Sequence, residues 1–353
     1  MNRSLRHPTQ WLPALASGLR RVVRPGGAER NGTAPSKVAV PNPFWVIVHK
    51  EIGDHVRSWR YSLLLGLMAL TCIASVYTAS LGMKDAISTE EEVRSFFFLK
   101  LYTASSSGIP PFMTFVSFLG PLIGIGLGFD AVNAERNKGT LSRMLAQPIH
   151  RDDLINAKFA ASFIVVAVLF FALGFLVAGF GIVVLGVPPT PEEFWRMVGF
   201  LLLSTVYVGF WLNLSILFSV RFRQAATSAL SAISVWIFFL VFYGMIIDLV
   251  ANALLSDSAD PESLMRDQGL LLLLSRLSPS QLFGEATTTL LVPSVRSLGP
   301  LTMEQIVGAI PSPLPLGQSL LLVWPQLTGL IAATVVTFAI SYALFMRQEI
   351  RSR

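Results

Sequence analysis

Apolar residues in this chain are gathered into runs. Six runs, at 62–81, 112–129, 159–185, 197–219, 225–250 and 320–346, are long enough to cross the ~30 Å hydrocarbon core of a bilayer as helices. Between the second and third lies a charged island, 133–158, flanked by a glycine-rich apolar run and by a stretch, 160–187, with no charge. An island of this kind must sit in water while its neighbours sit in lipid. The pattern predicts an all-α polytopic membrane protein with six transmembrane helices.

Inside the island, Gly139-Thr140 reads as a helix start, and Leu141, Met144 and Leu145 fall at i, i+3 and i+4 on one face. Gln147-Pro148 ends that helix, because proline cannot continue the hydrogen-bond ladder and biases the preceding residue out of it. Asp152 and Asp153 then suit the positive end of the next helix. Upstream, Phe44, Val48, Ile52, Val56 and Trp59 recur every three or four residues, while Lys50, Glu51, Asp54, His55, Arg57 and Ser58 take the other side. Residues 41–61 are therefore expected to lie as a helix in the membrane interface. Residues 1–40 are basic, lack periodicity and read as a disordered tail.

Composition agrees with this picture. The chain is 53% hydrophobic and 14% charged, with a mean hydropathy of +0.61, where soluble domains carry ~25% charged residues. The net charge of +6 points to loops near anionic lipid rather than to nucleic acid. With the N-terminus inside, twenty Lys and Arg fall on the cytoplasmic parts and seven on the outer parts; the positive-inside rule then places both termini in the cytoplasm, with 347–353 as a short tail. The outer side has two insertions. Residues 82–111 are polar with a phenylalanine patch at 96–98, and 251–319 are long and proline-rich. The leucines 270–274 are too few to span and read as a surface helix or a lid. Pairing them with 286–292 as a re-entrant hairpin is disfavoured by Arg276, Glu285 and two prolines.

Candidate chemistry is sparse. No G-x-x-x-x-G-K-[ST] phosphate-binding loop occurs, and no Gly-Lys pair at all, so ATP hydrolysis by that route is not expected of this chain. The single cysteine, Cys72, falls within a span, and the four histidines show no ligand spacing, so no metal site is expected. Gly120, Gly124 and Gly128, spaced by four, predict a helix face for close packing in lipid. Span two with this stripe, and span five, are candidate packed surfaces. Asp248 is the only acid within an expected span; with Phe242 and Tyr243 it is a candidate pathway residue.

Glu135, Gly139-Thr140-Leu141, Leu145, Pro148 and Lys158, in this order between two spans, resemble the segment after the second span of type-2 ATP-binding-cassette exporter permeases. The resemblance is closest to the branch that contains the permease for nitrous oxide reductase maturation. It is strong over residues 133–159 and looser over the whole chain from Pro41. It implies an elbow helix at 41–61 and a short cytoplasmic coupling helix that docks into a groove on an ATPase subunit. Glu135, Arg136, Gly139, Thr140, Leu141, Arg143, Met144, Leu145 and Pro148 would be the coupling residues, with Leu141, Met144 and Leu145 as an apolar ridge and Arg143 at its rim. It further implies two ATPase copies carrying ATP and Mg, a second permease (self-paired or a paralogue), no cofactor in this chain, and export of an unidentified substrate across a prokaryotic cytoplasmic membrane. A different class of function, a non-transporting scaffold that anchors a partner complex, is the alternative. Association with a cassette ATPase discriminates the two.

Overall fold

The computed structural model describes residues 42–87, 96–105, 108–146, 150–186, 188–254, 261–298 and 313–348, so the expected tail 1–40 and Pro148 lie outside the described residues. Among the described residues six helical segments are long and apolar enough to cross a membrane: Trp59–Leu81, Phe112–Asn137, Arg151–Val184, Pro191–Arg221, Ala225–Ala253 and Leu316–Arg347. They coincide with the six expected runs. The end of the bundle that carries the island is called the island end below, and the opposite one the far end.

The first helix, α1 (Pro43–Val56), starts where Asn42 accepts a hydrogen bond from the Phe44 amide and proline occupies the first turn, a position that needs no amide donor. It buries Ile47, Val48 and Glu51 against α7 (Arg151–Leu185), the third span. Trp45, Val46 and Val56 stay exposed. The stripe that meets the bundle thus contains a carboxylate, and Val56, expected on the apolar side, faces outward.

Span one is α2 (Trp59–Ile87). A short α3 (Lys100–Thr103) follows a 3-10 turn at Phe97–Leu99. Span two is α4 (Phe112–Gly128), then come α5 (Asn133–Asn137) and α6 (Thr140–Leu145) of the island. Span four, α8 (Pro191–Arg221), is the axis of the fold. It packs on spans two, three, five and six and is 78% buried inside the protein, against 11% for span five and 22% for span six. Its N-terminus has a capping box between Thr190 and Glu193. The second Glu193 oxygen accepts from the Phe98 amide at 2.8 Å, and Phe98, Leu99, Leu101 and Tyr102 are buried. The phenylalanine patch read as part of a polar loop is a wedge in the far end.

Span five is α9 (Ala225–Ile237), a π-helical turn at Phe238–Phe242, and α10 (Tyr243–Leu254). Two further helices, α11 (Pro261–Ser275) and α12 (Pro279–Leu291), precede span six, α13 (Leu316–Arg347). Their turn sits deep: Tyr243 donates to the Leu274 carbonyl at 2.5 Å, and Phe283 stacks on Tyr207 with centroids 4.3 Å apart. Tyr207 lies ~24 Å along α8 from its far end at 1.5 Å per residue. Arg196, close to that far end, donates to the Leu290 carbonyl, so the pair goes in and comes out on one side. This corrects the reading of 270–274 as a surface helix or lid: they belong to a re-entrant hairpin. The charges that argued against it neutralise each other, Arg276 meeting Glu285 at 2.8 Å while Gln281 and Gln326 also donate to that carboxylate. Pro279 sits in the first turn of α12, where it is tolerated.

Candidate functional site

The island is short of local propensity, so its shape depends on links to the bundle. Gly139 has φ +67°, a left-handed conformation that breaks α5 from α6 and suits only glycine without strain. Thr140 donates back to the Glu135 carbonyl, closing the turn. At the base, the Val132 and Asn133 amides donate to the Ser219 hydroxyl of span four at 3.0 and 3.2 Å. Asn137 donates to the Arg223 carbonyl at 3.0 Å. Arg136 donates to the Gln348 side chain, which in turn donates to the Val220 carbonyl. Arg151 donates to the backbone of Phe345 and Gln348. The ends of spans three, four and six and the turn before span five therefore all grip the island.

Its strongest tie is ionic. Lys158, whose side chain is 4% exposed, lies 3.0 Å from a Glu51 oxygen and 2.9 Å from a Glu135 oxygen. Lys50 approaches the same two oxygens at 2.9 and 3.6 Å and reaches Asp54 at 3.2 Å. One buried ammonium thus joins α1, the island and span three. A buried cation is tolerated only with such partners. Burial alone would raise the Glu51 pKa, but the Lys158 charge and the bonds from Lys50 outweigh it and hold it below the ordinary value. Partial burial disfavours charge on Lys50, yet Glu51, Asp54 and Glu135 hold its pKa above the usual lysine value. His55 pairs through Nε2 with the Ser162 hydroxyl at 2.9 Å; burial lowers its pKa against the opposing pull of the Glu51 carboxylate.

The residues singled out in the sequence fall into three places. Glu135 and Arg136 are in the network just described. Along α6, Arg143 is exposed and Met144 half-buried, but Leu141 is only 2% exposed and joins the core. Leu141 is therefore an anchor and not part of an outward apolar ridge, because the left-handed turn at Gly139 rotates it onto the bundle. The Leu145 side chain lies outside the described residues.

The glycine stripe meets span four of the same chain. A Cβ on Gly120 would come within 2.8 Å of the Val208 side chain, on Gly124 within 2.7 Å of the Val208 carbonyl, and on Gly128 within 2.7 Å of the Leu212 carbonyl. It is thus not a surface open to a second copy. Asp248 and Phe242 face outward on span five, and Tyr243 is spent on the hairpin. At the hairpin tip a cavity of about 150 Å³ is lined by Thr114, Ser117, Phe118, Tyr207, Trp236, Leu240 and Ser280, with no charged group. Among the described residues no cluster of His, Cys, Asp or Glu could hold a metal.

Glu51, Ser219 and Gln348 were missed by sequence reasoning as site residues, and Lys158 was singled out only among the residues that carry the family resemblance. A signal existed for Glu51: it stands three residues after Val48, within the stripe α1 buries.

Residues 45–350 match the model of the family described as "ABC-2 family transporter protein". The chain is 26% identical over 221 residues to the "Probable ABC transporter permease protein NosY" of Stutzerimonas stutzeri, covering 61% of this chain and 71% of that one. It is 28% identical over 208 residues to the protein of the same name from Pseudomonas aeruginosa, covering 57% and 68%. With six membrane-capable helices and an island wired into them, the chain belongs to the ABC-2 family of transporter permeases.

Proposed function

We propose that this protein is the membrane subunit of an exporter in the cytoplasmic membrane of a prokaryote, driven by a separate cassette ATPase. The observation that carries the reading is the Lys158 junction. A push or pull on the island cannot be absorbed locally, since one buried ammonium ties it to α1 and α7 and further hydrogen bonds tie it to spans four and six. That is what an element delivering force from outside the membrane requires. The island end faces the cytoplasm, as the excess of Lys and Arg there supports. Helix α6 is the coupling helix, presenting Arg143 and Met144, with Leu141 as its foot. ATP and Mg are held by the ATPase.

Two permeases and two ATPases form the working unit in this reading. Span five is 11% buried, and Phe242 and Asp248 point away from the bundle. A passage lined by them runs between this chain and a second permease. The test is co-expression with the cognate cassette ATPase, with cysteines at 143 and 195 labelled from each side. Co-purification of ATPase and permease in equal numbers, with 143 labelled from the cytoplasm and 195 from outside, is expected. Purification without the ATPase, and without loss of a partner complex it anchors, would favour the scaffold reading.

A further inference from the structure

The part of the island end formed by α5, α6, the turn before span five and the end of span six is cationic on its exposed side, the acids Asp54, Asp152 and Asp153 lying on α1 and at the start of α7, and this sets the kind of partner that fits it. Three chain segments meet there. Asn137 donates to the Arg223 carbonyl, Arg136 to Gln348, and Gln348 to the Val220 carbonyl. Lys138, Arg221, Arg223 and Arg347 each lie within two residues of one of these links, and all four are exposed. Arg143 adds a fifth exposed cation on α6. None of the five has a carboxylate partner among the described residues, in contrast to Arg60, which pairs with Asp130. Residues 136–146, 220–224 and 347–348 contain no acid; of the two acids that border them, Glu135 is taken up by Lys158 and Lys50, and Glu349 lies outside the described residues. Like charges gathered by hydrogen bonds repel one another unless an anionic surface covers them. With Leu141 turned inward, Arg143 is the exposed side chain of α6 that continues this charged face.

We propose that the partner surface received by the island end is acidic, and that docking of the ATPase is steered by a composite basic collar. The collar includes the turn between spans four and five (Arg221, Arg223) and the end of span six (Arg347), beyond the coupling helix itself. This rests on the ATPase reading above. The occupant is a protein surface in preference to lipid headgroups, because the collar is hydrogen-bonded to α5, the helix that leads directly into α6.

The test uses the full-length permease in nanodiscs of uncharged phosphatidylcholine and measures binding of the purified cassette ATPase. Affinity is expected to fall steadily from about 50 to about 500 mM NaCl as screening shortens. Arg221→Gln with Arg223→Gln is expected to weaken binding about tenfold at low salt, and Arg→Lys at both positions to restore most of it. These side chains are exposed, so the unfolding temperature should not move. Salt-independent binding with unchanged affinity in the Gln variant would overturn the proposal. So would an effect of the variant seen only as lost stability in discs containing anionic lipid, which would assign the collar to headgroups. If the unaltered permease fails to bind the ATPase at any salt, the ATPase reading itself fails, and the collar proposal with it.

Discussion

Lys158→Met should destabilise the protein more than any other single change at the island end. The substitution keeps the length and apolar stem of the side chain but removes the ammonium that Glu51 and Glu135 share. Their side chains are 9% and 14% exposed, so two carboxylates would face each other with only Lys50 nearby. Breaking a buried pair by removing one partner costs about 3–5 kcal/mol, which for a chain of this size corresponds to an unfolding temperature lower by about 5–10 °C. The double variant Lys158→Met with Glu135→Gln leaves the Lys50–Glu51 pair intact and should regain at least half of that loss. The pH dependence has a definite sign. Because the Glu51 pKa is lowered in the fold, its contribution is full above the ordinary glutamate value of about 4.3 and is lost as pH falls through the lowered one. In Lys158→Met only Lys50 remains to supply that benefit, so the gap between variant and wild type should stay constant from about pH 7 to about pH 5 and narrow as pH falls below about 4.3. A variant within 1 °C of wild type at every pH would mean that the junction is not structural; purified protein and a thermal melt suffice to decide.

Gly124→Ala is the second large effect. The added methyl would lie 2.7 Å from the Val208 carbonyl, 2.8 Å from the Leu212 amide and 3.2 Å from the Trp211 Cβ. The first two are backbone atoms of span four and cannot rotate aside, so spans two and four, the two most buried spans, must separate. Overpacking of this kind typically costs 1–3 kcal/mol, and about 2–3 is expected here. Gly179→Ala is the matched control, because nothing lies within 4 Å of its Cβ and alanine is favoured over glycine in a helix by up to ~1 kcal/mol. Melts in the same detergent should place the Gly124 variant well below wild type and the Gly179 variant at or above it. Equal melting of the two would show that the stripe is not a packed contact.

The spans were legible because a run of about twenty apolar residues has few alternatives to crossing a membrane. The island was legible because charge cannot stay in lipid. What stayed hidden depends on pairs. Arg276 and Glu285 each look prohibitive when read alone, and only their 2.8 Å meeting makes the re-entrant hairpin acceptable. Lys158 sits at the start of an apolar run and stands out in the sequence only through the family resemblance; nothing local reveals that its partners come from residues 51 and 135. The wedge at Phe97–Thr103 was concealed for a related reason, since its anchor, the Phe98 amide to Glu193 bond, spans 95 residues. Leu141 shows the limit of periodicity. The i, i+3, i+4 pattern identified an apolar face on α6 but not its direction, which the Gly139 turn decides. The same turn leaves Arg143 outermost, and so changes what a partner would meet.

A photo-activated crosslinker at Met144 tests the account most directly. The residue is half-buried on α6, beside exposed Arg143, and a matched probe at Trp195 sits at the far end. In membranes co-expressing the cassette ATPase, the probe at Met144 is expected to capture the ATPase, and to do so differently with ATP and with ADP bound, while the probe at Trp195 captures none. Capture of the ATPase from Trp195, or none from Met144 in a complex shown to contain both subunits, would contradict the claim that the island end receives the ATPase.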